Sequence, residues 1–171
     1  TISDIVPLVD ENRVIAKLGL KLIEQTKNIG LRTLLNIANF KKIDSNAISF
    51  GVAPRINACG RMGAQEEALK LFLTEDKQEA LKIAKNLVKF NQERQNTEKQ
   101  IFEDVIQEIE KNNDKEKKCI VLAKENWHHG IIGIVSSKVT EMYYKPSILI
   151  CLEGDMGKGS GRSVSGFDLY N

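Results

Sequence analysis

Apolar side chains recur at helical spacing from the start of the chain. Val14, Leu18 and Leu22 stand four residues apart with Ile15 beside them, and Leu31, Leu34, Leu35 and Ala38 repeat the stripe, which predicts amphipathic helices over 10–27 and again through the second group. The pattern breaks at Asp44-Ser45-Asn46. Phe50 to Gly63 then combines three glycines and a proline with small residues, and is expected to be a structured loop. From Asp76 a long helix is predicted, with Asp76 as N-cap, Glu79 three residues on in a capping-box pattern, and no Gly or Pro before Asn112. Unbroken, such a helix is about 50 Å long at about 1.5 Å per residue.

The stripe along that helix is divided. Ala80, Ile83, Ala84, Leu87 and Val88 supply an apolar face to its first half and Ile101, Val105, Ile106 and Ile109 to its second, whereas Asn91, Arg94, Gln95 and Glu98 carry the same periodicity as polar residues. An interdomain strut with a solvated waist has this pattern, and so does one helix of a large bundle. After the charged run Lys115 to Lys118, Cys119 to Ala123 has the length of a strand, Gly130 to Tyr144 reads as helix, Pro146 to Leu152 as a buried strand, and Lys158 to Val164 as a glycine-rich turn and strand. Strand, helix, strand predicts a parallel α/β unit.

Composition narrows the function classes. With 171 residues, 42% hydrophobic content and three prolines, the chain is expected to fold as one or two small domains. A formal charge of +2 shows no general basic excess, so any nucleic-acid site must be local. Cys59, Cys119 and Cys151 lie far apart among apolar or small residues, as expected of buried thiols in a reducing, cytoplasmic setting. No apolar run is long enough for a membrane span, so no membrane partner is expected. Thr1 at one end, and Asn171 just beyond a motif at the other, are what an internal fragment would present.

Three places could carry chemistry. Gly157-Lys158-Gly159-Ser160-Gly161-Arg162-Ser163 joins backbone N–H groups free of side-chain bulk to the donors Lys158, Ser160, Arg162 and Ser163, as a phosphate site would; a tight hairpin bearing exposed charges has the same composition. It is neither a P-loop nor a dinucleotide fingerprint. Trp127-His128-His129-Gly130 stands at a strand-to-helix junction, where free backbone donors favour anions, with His128 the sharper candidate; packing of Trp127 beside a capping histidine is the alternative. Arg55 and Arg61 flank the small-residue run Ile56 to Gly60, open to a phosphate or engaged in salt bridges. Asp4 is one carboxylate, which by itself makes no metal site.

Four blocks taken in order, Thr1 to Leu8, Ala53 to Met62, Trp127 to Val135 and Gly157 to Ser163, resemble the RecJ family of the DHH phosphoesterase superfamily. Glu11-Asn12-Arg13, Gly30-Leu31-Arg32 and Asn91 to Gln95 extend the resemblance over essentially the whole chain. It departs mildly, with Ser3 and Cys59 where alanine is common, His129 where proline often stands and Lys138 where arginine is usual.

The resemblance implies an α/β organisation: residues 1–75 as the helical C-terminal part of a DHH domain, 76–113 as the long connecting helix, and 114–171 as the start of an α/β DHH-associated, substrate-binding domain. It implies Asp4 as a ligand of a site holding two Mn2+ or Mg2+ ions, with the other ligands upstream, and His128 in the catalytic cleft. Trp127, Ser160, Gly161, Arg162 and Ser163, with Arg55 or Arg61, would bind the 5′ end of single-stranded DNA. The implied function is a metal-dependent 5′-to-3′ single-stranded-DNA exonuclease in repair and recombination, using metal-activated water for in-line attack. This stretch alone is expected to be inactive, and no protein partner is implied. The competing expectations are another DHH phosphoesterase, such as an oligoribonuclease or nucleotide phosphatase, and a non-catalytic module that binds single strands or phosphates.

Overall fold

The computed structural model describes residues 1–4 and 6–169, so Ile5 of the opening block and the last two residues lie outside it. It is a mixed α/β structure with six α-helices and one three-stranded sheet among the described residues. Two compact units divide it, residues 1–92 and 93–171.

The first unit is helical: α1 (Asp10–Ile23), α2 (Ile29–Ala38), α3 (Ala53–Arg61), α4 (Gln65–Leu73) and the beginning of α5 (Lys77–Lys111). Its core gathers Leu34 and Leu35 of α2, Cys59 of α3, Leu71 of α4 and Ala80, Ile83, Ala84 and Leu87 of α5. Asn28 starts α2 twice over: its side-chain oxygen accepts the Leu31 N–H at 2.8 Å, and its amide donates to the Phe72 carbonyl at 2.8 Å. That second bond draws α2 onto α4, and Gly30 makes the approach possible. A Cβ there would stand 1.8 Å from the Leu71 carbonyl oxygen. The stripe on α1 is present as predicted, yet none of that helix is buried, and Val14, Ile15, Leu18 and Leu22 are exposed.

The expected loop over 50–63 is instead helix. A wide, π-type turn over Ala47–Val52 runs directly into α3. Pro54 lies in the first turn of α3, where its missing N–H is not needed, so it begins the helix rather than breaking it. Gly63, at φ 73°, provides the stop, with the Ala64 N–H returning to the Cys59 carbonyl at 2.7 Å.

α5 begins where expected, but its cap is built differently. Asp76 accepts the Gln78 N–H at 2.7 Å, whereas Glu79 turns away to accept from the Thr74 hydroxyl and to pair with Lys70 at 2.9 Å. The expected solvated waist is not what Glu98 forms. It is 6% exposed, paired with Arg94 at 2.5 Å and with Lys138, whose ammonium also lies over the Phe102 ring. Helical periodicity cannot foresee this, because Lys138 reaches Glu98 from another element.

In the second unit, β1 (Ile120–Glu125) pairs in parallel with β2 (Ser147–Glu153) across α6 (His129–Tyr143), as the strand, helix, strand pattern predicts. β3 (Met156–Arg162) then returns antiparallel to β2, with Ser147 opposite Arg162. Of the glycine-rich turn and strand expected over Lys158 to Val164, the strand is present but begins earlier, at Met156, and the turn precedes it at Gly154, φ 59°. Alternation sends Gly157, Gly159 and Gly161 to one face and Lys158, Ser160 and Arg162 to the other. Of the three cysteines, Cys59 and Cys151 are buried and Cys119 is exposed, against the expectation for it. Among the described residues no helix is long and apolar enough to cross a membrane.

Two glycines separate packing from propensity. Gly30→Ala should destabilise the chain by about 1–3 kcal/mol through overpacking. Gly19→Ala, on an exposed part of α1 with nothing within 4 Å of the new methyl, should be neutral or stabilising by up to about 1 kcal/mol. Urea unfolding of both variants measures this.

Candidate phosphate-binding site at the head of the second-unit helix

The second unit gathers four of the candidate residues around α6. β1 ends at Glu125, Asn126 takes φ 65°, and two residues later His128 caps the helix, its Nδ1 accepting the Gly130 N–H at 3.1 Å. The His128 carbonyl accepts from Ile131 and Ile132 at 2.9 and 3.1 Å. Nδ1 must therefore be unprotonated. Burial first, then the adjacent His129, push the imidazole below its ordinary value, against the pull of Glu153. His129 stacks on His128 with ring centroids 5.3 Å apart and meets Glu153 at 3.0 Å, and this bond, with Lys158 nearby, holds the Glu153 carboxyl below its usual range.

Trp127 is 5% exposed. Its indole N–H donates to Asp104 of α5 at 2.8 Å, and its carbonyl accepts from the buried Cys151 thiol, whose pKa burial raises. The indole thus packs inside the unit rather than lying open to a base.

Ser160 and Arg162 lie beside the next turns of α6. A Cβ on Gly133 would come within 2.9 Å of the Ser160 hydroxyl and 3.4 Å of Arg162 Nη2, so the missing side chain lets strand and helix meet. Arg162 Nε donates to Ser137 Oγ at 3.0 Å, and Nη1 donates to Ser160 Oγ at 3.3 Å and to the Gly161 carbonyl at 2.6 Å. Ser137, not foreseen from the sequence, stands one helical turn after Gly133 and so faces the same strand.

The charges here are distributed unevenly. Lys124 pairs with Asp104, Lys138 with Glu98 and Lys158 with Glu153, whereas every described partner of Arg162 is neutral. Its positive charge is held in place without being cancelled, at an exposed position, as an anion site requires. Gly161 faces the other side of the strand, where a Cβ would be 3.3 Å from Leu169. Ser163 donates to the Phe167 carbonyl at 2.6 Å and so braces the chain after the strand.

The remaining candidates belong to the first unit. Arg55 is half-buried and donates to the Gly51 carbonyl, with its Nε given no partner among the described residues. Arg61, on the same helix, lines an open groove with Ile56, Asn57, Gly60 and Gln65. Six residues separate the two arginines, so they leave α3 about 120° apart and do not form one cradle. Asp4 is exposed and bonded at 3.1 Å to the Thr1 amino group. Among the described residues no three His, Cys, Asp or Glu side chains converge to hold a metal, so this chain brings no second ligand to Asp4.

No family model matches the chain. It is 36% identical to the single-stranded-DNA-specific exonuclease RecJ of Bacillus subtilis over 99% of its own length and 22% of that protein's. To RecJ of Escherichia coli it is 30% identical over 99% of this chain and 30% of the relative. The crystal structure of Thermus thermophilus RecJ in complex with Mn2+ superimposes with a TM-score of 0.87 at 34% identity, covering 98% of this chain and 24% of that one. A second structure, of RecJ from the same organism with Mg2+, gives 0.88 at 32% identity and covers 26% of that chain. The chain therefore spans less than a third of the length of these relatives.

The His128 cap sets a pH dependence. Because burial lowers its pKa in the folded state, its contribution is fully present above the unfolded value of about 6.5 and is lost as the pH falls through the lower, folded value. Thermal melts between pH 7.5 and 5.5 should show a loss of up to about 1 kcal/mol. His128→Asn, which caps without titrating, should flatten the slope in that window.

Proposed function

We propose that this chain, which is homologous along its length to a segment of the RecJ single-stranded-DNA-specific exonucleases, supplies the part of such an enzyme that grips the DNA strand. On this reading residues 1–75 are the helical end of a DHH domain, 76–113 the connecting helix and 114–171 the beginning of the DHH-associated domain. The intact protein would be a metal-dependent 5′-to-3′ exonuclease on single-stranded DNA. The manganese and magnesium complexes of related RecJ proteins support that metal dependence, with Asp4 offered as one ligand beside others outside this chain.

The observation that carries the proposal is the uncancelled charge of Arg162. A guanidinium fixed by Ser137, Ser160 and a backbone carbonyl keeps its donor plane oriented, and Nη2 donates to none of the described residues. A terminal phosphate offers the acceptors and the charge that this arrangement lacks. Ser160 adds a hydroxyl, and the N-terminal end of α6 favours the same sign of ligand. His128 would serve by shaping that end through its bond to Gly130, with any catalytic part played as the neutral imidazole. Trp127 would act from within the unit as a brace, and Gly161 and Ser163 by keeping β3 close to its neighbours. Arg61, more open than Arg55, is the better candidate for a phosphate contact in the first unit.

Arg162→Ala tests the proposal on this chain. Its affinity for a 5′-phosphorylated single-stranded oligonucleotide should fall about tenfold or more, and for the 5′-hydroxyl oligonucleotide much less. Fluorescence anisotropy at fixed salt measures both. Equal losses on the two would replace a terminal-phosphate site by a general electrostatic surface.

A further inference from the structure

We infer that Asp104, on α5, is a positioning residue for the head of α6, acting through the indole of Trp127. The inference rests on the reading of that helix end and of Arg162 as the strand-gripping site.

The connection between β1 and α6 is short and strained at Asn126, and Trp127 is its anchor. Each end of Trp127 is held from a different element. On one side the indole N–H meets Asp104 Oδ2 at 2.8 Å; on the other its carbonyl accepts from Cys151 of β2. Asp104 is itself fixed, because its second oxygen accepts from Lys124 of β1 at 2.6 Å, and Lys124 also lies 3.7 Å from Glu108. Each carboxylate oxygen therefore has its own donor, and the plane of the carboxylate orients the indole. Burial pushes the Asp104 carboxyl up, but the bonds from Lys124 and Trp127 outweigh it and hold it below its ordinary range.

What Trp127 fixes is the backbone one residue before the cap. His128 follows it directly, and both the Gly130 N–H and the two amides that return to the His128 carbonyl are oriented from there. Ser160 and Arg162 are set against Gly133 of the same helix, so a shift of its start moves them too, and a guanidinium that must meet a phosphate tolerates a displacement of only about 0.5 Å. Without Asp104 the buried indole N–H loses its acceptor, and of the two described hydrogen bonds that hold Trp127 the one from Cys151 is left.

Electrostatics and positioning give opposite signs. Removal of a carboxylate should by charge alone improve the binding of an anion. If Asp104 acts by position, removal should weaken it.

The test uses this chain and a 5′-phosphorylated single-stranded oligonucleotide, with its 5′-hydroxyl counterpart as reference. Asp104→Ala and Trp127→Phe, which removes the N–H donor and keeps an aromatic ring, should each reduce the preference for the phosphorylated strand about three- to tenfold, with the double variant no worse than either. Asp104→Asn, which retains an acceptor, should stay within about twofold of the parent. Amide hydrogen exchange over His129 to Ile132 should quicken in Asp104→Ala and not in Arg162→Ala, without any DNA present. Unchanged exchange in Asp104→Ala, or a lowered melting temperature with the phosphate preference intact, overturns the inference. Multiplying losses in the double variant do the same. If Arg162→Ala also leaves the preference intact, the site reading fails instead, and the exchange rates alone decide whether Asp104 positions the helix end.

Discussion

Three hydroxyls buried between α6 and the sheet decide how the second unit is put together. Ser136, Thr140 and Ser147 are all buried, the two serines completely. Each must find its partner inside, and they find one another: the Ser147 hydroxyl meets that of Thr140 at 2.7 Å and that of Ser136 at 2.9 Å, and it donates to the Ser136 carbonyl at 2.9 Å. An apolar contact between a helix and a sheet tolerates some rotation and sliding, but a closed set of hydroxyls does not. One rotation of α6 satisfies the set, and it turns Gly133 and Ser137 toward β3. Since Ser147 is the register partner of Arg162, and Thr140 also approaches the Arg162 carbonyl at 3.5 Å, the same cluster fixes the strand that carries the guanidinium.

The sequence made the periodic elements legible and left the exceptions hidden. α5, β1, α6 and β2 follow from stripes and runs whose residues are indeed buried, such as Ala80, Ile83, Leu87, Val105 and Leu149. Composition obscured α3 and the start of β3: Pro54 reads as a breaker until its place in the first turn is known, and the glycines read as a turn leading into the strand until their alternation with Lys158, Ser160 and Arg162 is given more weight than their number. The candidate site was half legible. Ser160, Arg162 and the capping His128 are recognisable from residue type and place. Ser137 and Asp104 are not, because their parts are defined by partners far away in the chain. A signal for Asp104 did exist. It stands three residues after Ile101 and next to Val105 on the stripe of α5, where a carboxylate calls for a buried donor.

Trp127 illustrates how one residue type supports opposite readings. An indole beside histidines and a helix start suits stacking on a base, and it suits a core anchor equally well. Burial and the bond to Asp104 show it packed as an anchor within the unit.

A net charge of +2 offers a polyanion little long-range attraction, so recognition has to come from individual groups. In the second unit most of the cations near the helix and sheet are spent on structure: Lys124 on Asp104, Lys138 on the buried Glu98, Lys158 on Glu153. The same pairing applied to Arg162 would have fixed the side chain equally well, and would have left a phosphate to compete with a carboxylate for it. Serine hydroxyls and a backbone carbonyl orient the guanidinium while leaving its charge intact. In that respect Arg162 differs from Lys124, Lys138 and Lys158, each of which is paired with a carboxylate.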